Sequence, residues 1–189
     1  MTGNRPPLRA DARRNRDRLL AAARDTFREG GRAVQLADVA RAAGVGVGTV
    51  YRHFPTRDAL LETLAREHVA ELQHVAERAA GISDPFEALS SLLHDMLEAQ
   101  LSRRGMSAVL TAAVDVQDET TRAKARLDAA VASVLTRAQQ ARRVRADVTA
   151  VDLRQVVCGI ELAQDRRDPK ARDRARLHLT IVLTGLRRG

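Results

Sequence analysis

The stretch LADVARAAGVGVGTVYRHFPTR, residues Leu36–Arg57, decides how this chain folds. Apolar residues recur at helical spacing in two short runs, one on each side of the four residues 43–46, and Pro55 ends the second run. The spacing predicts two short helices joined by a tight turn, in which Gly44 supplies a positive φ and Val45 fills the corner. This arrangement is a helix-turn-helix.

The second of these helices has two distinct faces. At about 100° per residue it directs Val47, Val50 and Phe54 toward the core. The opposite face is expected to reach solvent, with Tyr51 at its boundary, and it consists of Gly48, Thr49, Arg52 and His53. This outer face is the one that can meet a partner.

The residue types on the outer face suit double-stranded DNA. Glycines at the helix N-terminus let backbone N–H groups approach a phosphate or a base edge, and hydroxyl and imidazole groups donate to backbone oxygens. Val47 can contact a thymine methyl. Arg52 can donate two hydrogen bonds to the O6 and N7 atoms of guanine or bind a phosphate, and Arg57 can bind the flanking DNA backbone. The predicted DNA-binding residues are therefore Gly46, Val47, Gly48, Thr49, Tyr51, Arg52, His53 and Arg57. Taken singly, each of them also fits an ordinary helical bundle.

Charge along the chain supports the DNA interpretation. The chain has 189 residues and a net charge of +8. Residues 1–66 contain 13 arginines and 7 acidic residues, so most of the excess lies in this third of the chain. Residues 1–10 lack an apolar pattern and are expected to form a flexible basic arm, either a solvated tail or, over Arg5–Arg14, a contact to the minor groove or backbone.

The composition and the remaining pattern predict an all-α fold. Aromatic residues make up 2% of a chain rich in Ala, Leu and Arg. A first helix is expected from Asp11 to Gly30, a long helix from Thr56 to Gly81, and later helices that begin at Asp84, near Met106, at Asp118, at Thr149 and at Asp168-Pro169. We predict a three-helix DNA-binding domain over residues 1–55 and a larger helical regulatory and dimerisation domain over residues 56–189.

Several classes of protein are disfavoured by what the sequence lacks. Cys158 is the single cysteine, and its apolar neighbours indicate a small core residue in a reducing cytoplasm. No apolar run reaches the length of a membrane span, and the basic N-terminus is not followed by the apolar core of a signal peptide. The sequence carries no phosphate loop, nucleophile elbow or metal-spaced histidine pair, so we expect no enzyme activity, cofactor or metal.

The second half offers two further candidate surfaces. The last helix has apolar residues on more than one side, which predicts a homodimer through the last two helices, or else a helix that runs through the monomer core. Within residues 84–165 several apolar side chains could line a cavity for a small molecule, with His94, Gln100 or Asp115 as its polar contacts. Candidate pocket residues, which serve equally well as core, are Leu93, His94, Met96, Met106, Leu110 and Leu135. Because Phe86 is the single aromatic residue there, an aliphatic or polar ligand is favoured over a flat aromatic one.

The helix-turn-helix closely resembles the signature of the TetR family of bacterial transcriptional regulators. The resemblance rests on Ala43-Gly44-Val45, Gly48-Thr49-Val50-Tyr51 and His53-Phe54, followed by Arg57 and Leu60. It implies DNA contacts at Gly48, Thr49, Tyr51, His53 and Arg57. One departure is the start of the second helix, where many members have Thr or Ser and this chain has Gln35-Leu36; Gln35 is expected to substitute.

The resemblance also implies an architecture and a function. Three DNA-binding helices precede a divergent helical domain whose last two helices dimerise as a four-helix bundle. The implied function is a sequence-specific repressor that an unidentified small-molecule effector releases from a palindromic operator. The alternatives are a DNA-binding protein without effector control and a helical protein-interaction module.

Overall fold

Helices dominate the computed structural model, which describes residues 7–30, 34–103, 105–165 and 167–187, with side chains from residue 14 onward. The all-α prediction is confirmed. The helices of the described residues are α1 Pro7–Gly30, α2 Leu36–Ala43, α3 Val47–His53, α4 Arg57–Ala80, α5 Pro85–Ser102, α6 Ser107–Leu110, α7 Asp118–Gln140, α8 Ala150–Leu162 and α9 Ala171–Leu186.

Two helix starts differ from the prediction. α1 begins at Pro7 rather than Asp11, because a proline with its fixed φ suits the first helical position and needs no apolar periodicity behind it. Residues 7–10 are thus helical and not part of a flexible arm, and residues 1–6 of the predicted arm lie outside the described residues. α9 begins at Ala171 because Asp168 closes a turn first, accepting a hydrogen bond from the backbone N–H of Lys170 at 2.8 Å.

The chain divides into two compact units, residues 1–64 and 65–189, and α4 begins in the first and continues in the second. In unit 1, α1 packs on α2 and α2 packs on α3. α2 and α3 are short, with 8 and 7 residues, so their stability comes from burying apolar side chains rather than from helix propensity. The core of this unit includes Leu19, Leu20, Ala23, Phe27, Leu36, Val39, Ala40, Val50, Phe54, Leu60 and Leu61.

Unit 2 is built around α5 and α8. α5 packs on α7, α8 and α9, whereas α8 also packs on α6, α7 and α9. Asp84 caps α5 by accepting hydrogen bonds from the N–H groups of Phe86 and Glu87, both at 2.9 Å, and Pro85 follows at the first position. Thr149 and Asp152 form the predicted capping box at the start of α8.

Two buried ion pairs hold the short helix α6. Lys124 on α7 lies 2.7 Å from the carboxylate of Asp115 and donates to the carbonyl oxygens of Val109 and Ala112 at 3.1 and 3.0 Å. Arg154 on α8 pairs with Asp128 at 2.7 Å and donates to the carbonyl oxygen of Leu110. Both cations therefore hold the end of α6 and the turn after it by donating to backbone carbonyl oxygens there.

None of the described helices is long and apolar enough to cross a membrane.

Candidate nucleic-acid interface

The turn between α2 and α3 has the geometry that the sequence predicts. Gly44 has φ 66° and ψ 33°, the left-handed conformation that glycine adopts at least cost. Its N–H donates to the carbonyl oxygen of Arg41 at 3.2 Å, and the N–H of Val45 donates to that of Ala40 at 3.0 Å. Half-buried Val45 closes the corner, so the direction of α3 is fixed by the last turn of α2.

The start of α2 is held by Asp38. Gln35 takes the N-cap position in an extended conformation, and its backbone N–H donates to Oδ2 of Asp38 at 3.0 Å. The carboxylate also sits in the first turn, where the helix dipole favours negative charge. The helix is therefore anchored although the chain lacks a Thr or Ser at this cap.

Helix α3 presents a buried and an exposed face. Val50 and Phe54 are buried, whereas the side chains of Tyr51, Arg52 and His53 are exposed and Thr49 is half-buried. Tyr51 is 52% exposed, which is large for a tyrosine in a folded unit. The structure thus brings the predicted aromatic, cationic and imidazole groups onto one short exposed helix.

Val47 does not point to the core as the periodicity predicts. It is 42% exposed. As the first residue of α3 it lies about 60° around the helix from Val50, which places it at the rim of the buried stripe. Its predicted place among the DNA-facing residues remains a prediction.

The glycines of α3 have open space beside them. A Cβ built on Gly46 or Gly48 meets no heavy atom within 4 Å, and neither residue has a positive φ. Packing and backbone conformation within unit 1 therefore accept a side chain at both positions.

Arg57 is engaged within unit 1. Its Nε donates to the carbonyl oxygen of Val34 at 2.7 Å, and its guanidinium carbon lies 5.2 Å from the ring centre of Phe27. Nη1 lies 3.6 Å from the carboxylate of Asp58. The side chain fastens the start of α4 to the segment before α2, a role that sequence reasoning missed because the partners are 23 and 30 positions away.

A second arginine next to α3 was also missed from the sequence. The guanidinium of exposed Arg16, on α1, lies 6.0 Å from the ring centre of Phe54, the residue that ends α3. Its periodic position on α1 predicts only a solvated side chain. The structure places this cation beside the C-terminal end of the candidate reading helix.

The candidate pocket residues fall into the core of unit 2. Leu93, Met96, Leu110 and Leu135 belong to one buried cluster, and Met106 is buried outside it. His94 is different, because its Nδ1 lies 2.8 Å from the carbonyl oxygen of Ser90 in the same helix. Of the two other candidate polar contacts of the pocket, Gln100 is fully buried and Asp115 pairs with Lys124.

The last two helices carry exposed apolar side chains. Leu177 and Ile181 lie on α9 and are 58% and 62% exposed, while Leu179, Leu183 and Leu186 of the same helix are buried. The exposed large apolar residues of α8 are Val151, Val156 and Leu162.

Among the described residues, no three His, Cys, Asp or Glu side chains are grouped closely enough to hold a metal ion.

Comparison with known proteins agrees with this architecture. Residues 19–64 match the family described as bacterial regulatory proteins, tetR family, and residues 84–188 match the C-terminal domain of SbtR-like transcriptional regulators. A TetR transcriptional regulator from Streptomyces coelicolor is 34% identical, with 91% of this chain and 98% of that chain covered and a TM-score of 0.54. A TetR transcription regulatory protein from Mycobacterium vanbaalenii is 33% identical, with 96% of this chain and 100% of that chain covered and a TM-score of 0.53.

One curated relative is similar over a shorter stretch. The HTH-type transcriptional repressor LfrR of Mycolicibacterium smegmatis is 48% identical over 67 residues, which is 35% of this chain and 33% of LfrR.

Proposed function

The chain belongs to the TetR family of bacterial transcriptional regulators, and we propose that it represses transcription by binding a palindromic operator, from which a small-molecule effector releases it. The relative LfrR is likewise named a transcriptional repressor. Its partners would be operator DNA, a second copy of itself and the effector, and it would act in the cytoplasm, where the operator lies.

The observation that carries the operator-binding proposal is the open space at Gly46 and Gly48. In the described part of unit 1, no atom lies close enough to require a glycine at either position. A phosphate or base edge pressed against the start of α3 would need both, because a Cβ there would hold the backbone N–H groups away from it.

The exposed side chains of α3 would complete the contact. Tyr51 and Thr49 would donate hydroxyl groups to phosphate oxygens, and Val47 would lie against a thymine methyl. Arg52 and His53 would add a cation and a ring N–H at the exposed end of the helix. Arg57 would act mainly by holding unit 1 together, because its Nε and ring contacts are internal.

The exposed apolar residues of α8 and α9 support a dimer through these two helices. Leu177 and Ile181 would leave a large apolar area in water in a monomer. A two-fold axis would bury the same patch on both copies, and it would bring two α3 helices to half-sites about one helical turn apart.

Release by the effector would be a shift between two populations. The effector would bind better to a dimer in which α4 has moved and the two α3 helices no longer match the spacing of the major groove. α4 suits this role because it starts in unit 1 and continues into unit 2.

Selection from a random duplex library at moderate salt tests the operator-binding proposal, since nonspecific attraction weakens there while sequence reading persists. We expect a palindrome, and we expect Tyr51→Ala to weaken binding to it without changing the melting temperature. Tyr51→Phe removes the hydroxyl and keeps the ring, so it shows which of the two groups contributes to operator binding. A library that stays unenriched contradicts the proposal.

The dimer is tested by light scattering on Ile181→Asp. We expect a monomer, because a carboxylate would be buried in an apolar contact. Val114→Asp is the matched control, because Val114 is also exposed but lies in the segment between α6 and α7. A dimer that persists in Ile181→Asp excludes this surface.

A further inference from the structure

Four buried polar side chains follow one another through unit 2, and we call them the polar chain. They are His68 on α4, Gln100 on α5, Cys158 on α8 and Ser107 at the start of α6, and each is at most 1% exposed. They come from four different helices. A group that binds here would therefore touch most of the unit at once.

The contacts along the polar chain are specific. Nε2 of His68 lies 2.8 Å from Oε1 of Gln100, and Nε2 of Gln100 donates to Sγ of Cys158 at 3.2 Å. Nδ1 of His68 lies 3.4 Å from a carboxylate oxygen of Glu71, which is itself 2.7 Å from Nε of Arg103. The chain thus runs from a surface ion pair to the middle of the core.

Ser107 ends the chain with an unsatisfied group. Its buried hydroxyl oxygen has no partner with good hydrogen-bond geometry within the described residues. The sulfur of Cys158, a weak acceptor, lies close enough for a loose contact, which opposes the rise that burial causes in the pKa of that thiol. Leaving a buried hydroxyl without a strong hydrogen bond costs free energy. A ligand that pairs with this hydroxyl would remove that cost.

The charges around the polar chain do not suit an anionic ligand. Both buried cations nearby, Lys124 and Arg154, are already paired with carboxylates. Burial lowers the pKa of His68, so its imidazole is neutral near pH 7. Burial raises the pKa of the Cys158 thiol to about 11, and the buried carboxylate of Glu161 makes a smaller contribution in the same direction.

The surroundings of the polar chain are aliphatic. Met96 lies one turn before Gln100 on α5, and Met106 and Leu110 flank Ser107; all three are buried. Phe86 is the one aromatic residue of unit 2 and is covered by the guanidinium of Arg187 at 4.2 Å. A ligand body here would meet methyl and methylene groups.

We propose that the polar chain recognises the effector, and that the effector is a neutral molecule with an aliphatic body and one hydroxyl or carbonyl group. This inference rests on the proposed function of an effector-released repressor. Its polar group bonds to the hydroxyl of Ser107 and the amide of Gln100. Since all four side chains are closed to solvent, the ligand reaches them by displacing α6, and it contacts α4 through His68.

Three probes of equal length test the charge of the ligand: 1-octanol, octanoate and octylammonium, each titrated into the full-length protein by calorimetry at pH 7.5. We expect octanol to bind at least tenfold more tightly than either ion. Equal or tighter binding of octanoate or octylammonium, or no binding of octanol, overturns the proposal.

Three variants test the residues. Ser107→Ala removes the unpaired hydroxyl, so the free protein should melt at the same or a higher temperature while octanol binds at least tenfold more weakly. Gln100→Leu should lose binding to the same extent. Gln164→Leu is the matched control, because this buried amide follows α8 and donates to the carbonyl oxygen of Ile160 in the last turn of that helix. Unchanged octanol binding by Ser107→Ala, or an equal loss in Gln164→Leu, overturns the assignment.

Operator binding is measured separately on the same preparations. A protein that selects an operator and binds no octanol refutes this inference and leaves the proposed repressor intact. A protein that binds octanol through Ser107 and selects no operator refutes the repressor and keeps the ligand site.

Discussion

Replacing Gly48 with alanine should raise the stability of the protein and weaken its binding to operator DNA. Stability rises because glycine within a helix costs about 0.5–1 kcal/mol relative to alanine, and because the added Cβ meets nothing within 4 Å. A gain of this size would raise the melting temperature by about 1–4 °C in a chain of this length.

The loss of DNA affinity follows from the same methyl group. If the backbone of α3 lies against a phosphate, Gly48→Ala removes at least one hydrogen bond to a charged group, worth about 1.5–3 kcal/mol. This corresponds to a loss of about tenfold to a hundredfold in affinity. A variant that is more stable yet binds DNA more weakly cannot be explained by damage to the fold.

Fluorescence anisotropy with the selected operator and thermal denaturation measure the two effects on one sample. Gly81→Ala serves as the control, because Gly81 belongs to unit 2 and not to the candidate interface, and the added methyl group lies 3.4 Å from the carbonyl oxygen of Arg78 at the end of α4. If Gly48→Ala binds the operator as tightly as the unchanged protein, the backbone of α3 does not approach the DNA closely. If Gly48→Ala melts at a lower temperature, the space beside Gly48 is not open.

Three further changes test the interior. Arg57→Ala should destabilise the protein by about 2 kcal/mol in urea denaturation, because a buried carbonyl loses its donor and Phe27 loses its stacked cation; no change would show that the contact is dispensable. Because the pKa of His68 is lowered in the folded protein, stability should fall as pH drops below about 6.5 toward that lower value. Between pH 7.5 and 5.5 the urea midpoint of His68→Gln should fall less than that of the unchanged protein. An equal fall in the two proteins would exclude His68 as the cause. Lys124→Met should cost about 3–5 kcal/mol by leaving the carboxylate of Asp115 buried without its partner, and Lys124→Met with Asp115→Asn should recover part of it.

Most of the fold could be predicted from the sequence because its signals are local. The caps at Asp84 and Thr149 and the glycine at Gly44 each act within four residues, and the helices begin and end there as predicted. The start of α1 was missed because Pro7 initiates a helix without an apolar stripe. The start of α9 was missed because the turn at Asp168 uses contacts that the pattern does not encode.

The candidate sites were less predictable because their contacts are distant in sequence. The exposed face of α3 follows from helical periodicity, apart from Val47 at its edge. The polar chain does not, since His68 and Gln100 are 32 positions apart and Gln100 and Cys158 are 58 apart. A buried histidine and a solvated one look alike in a helical pattern.

The burial of Cys158 has a practical consequence for experiments on this protein. Its thiol is closed to solvent and has a pKa of about 11, so little of it is thiolate at neutral pH and it reacts slowly with maleimides. A cysteine introduced at an exposed position such as Val114 would therefore be modified selectively without removal of the natural one. Paired spin labels on the two copies of a dimer would then report distances between them with and without octanol.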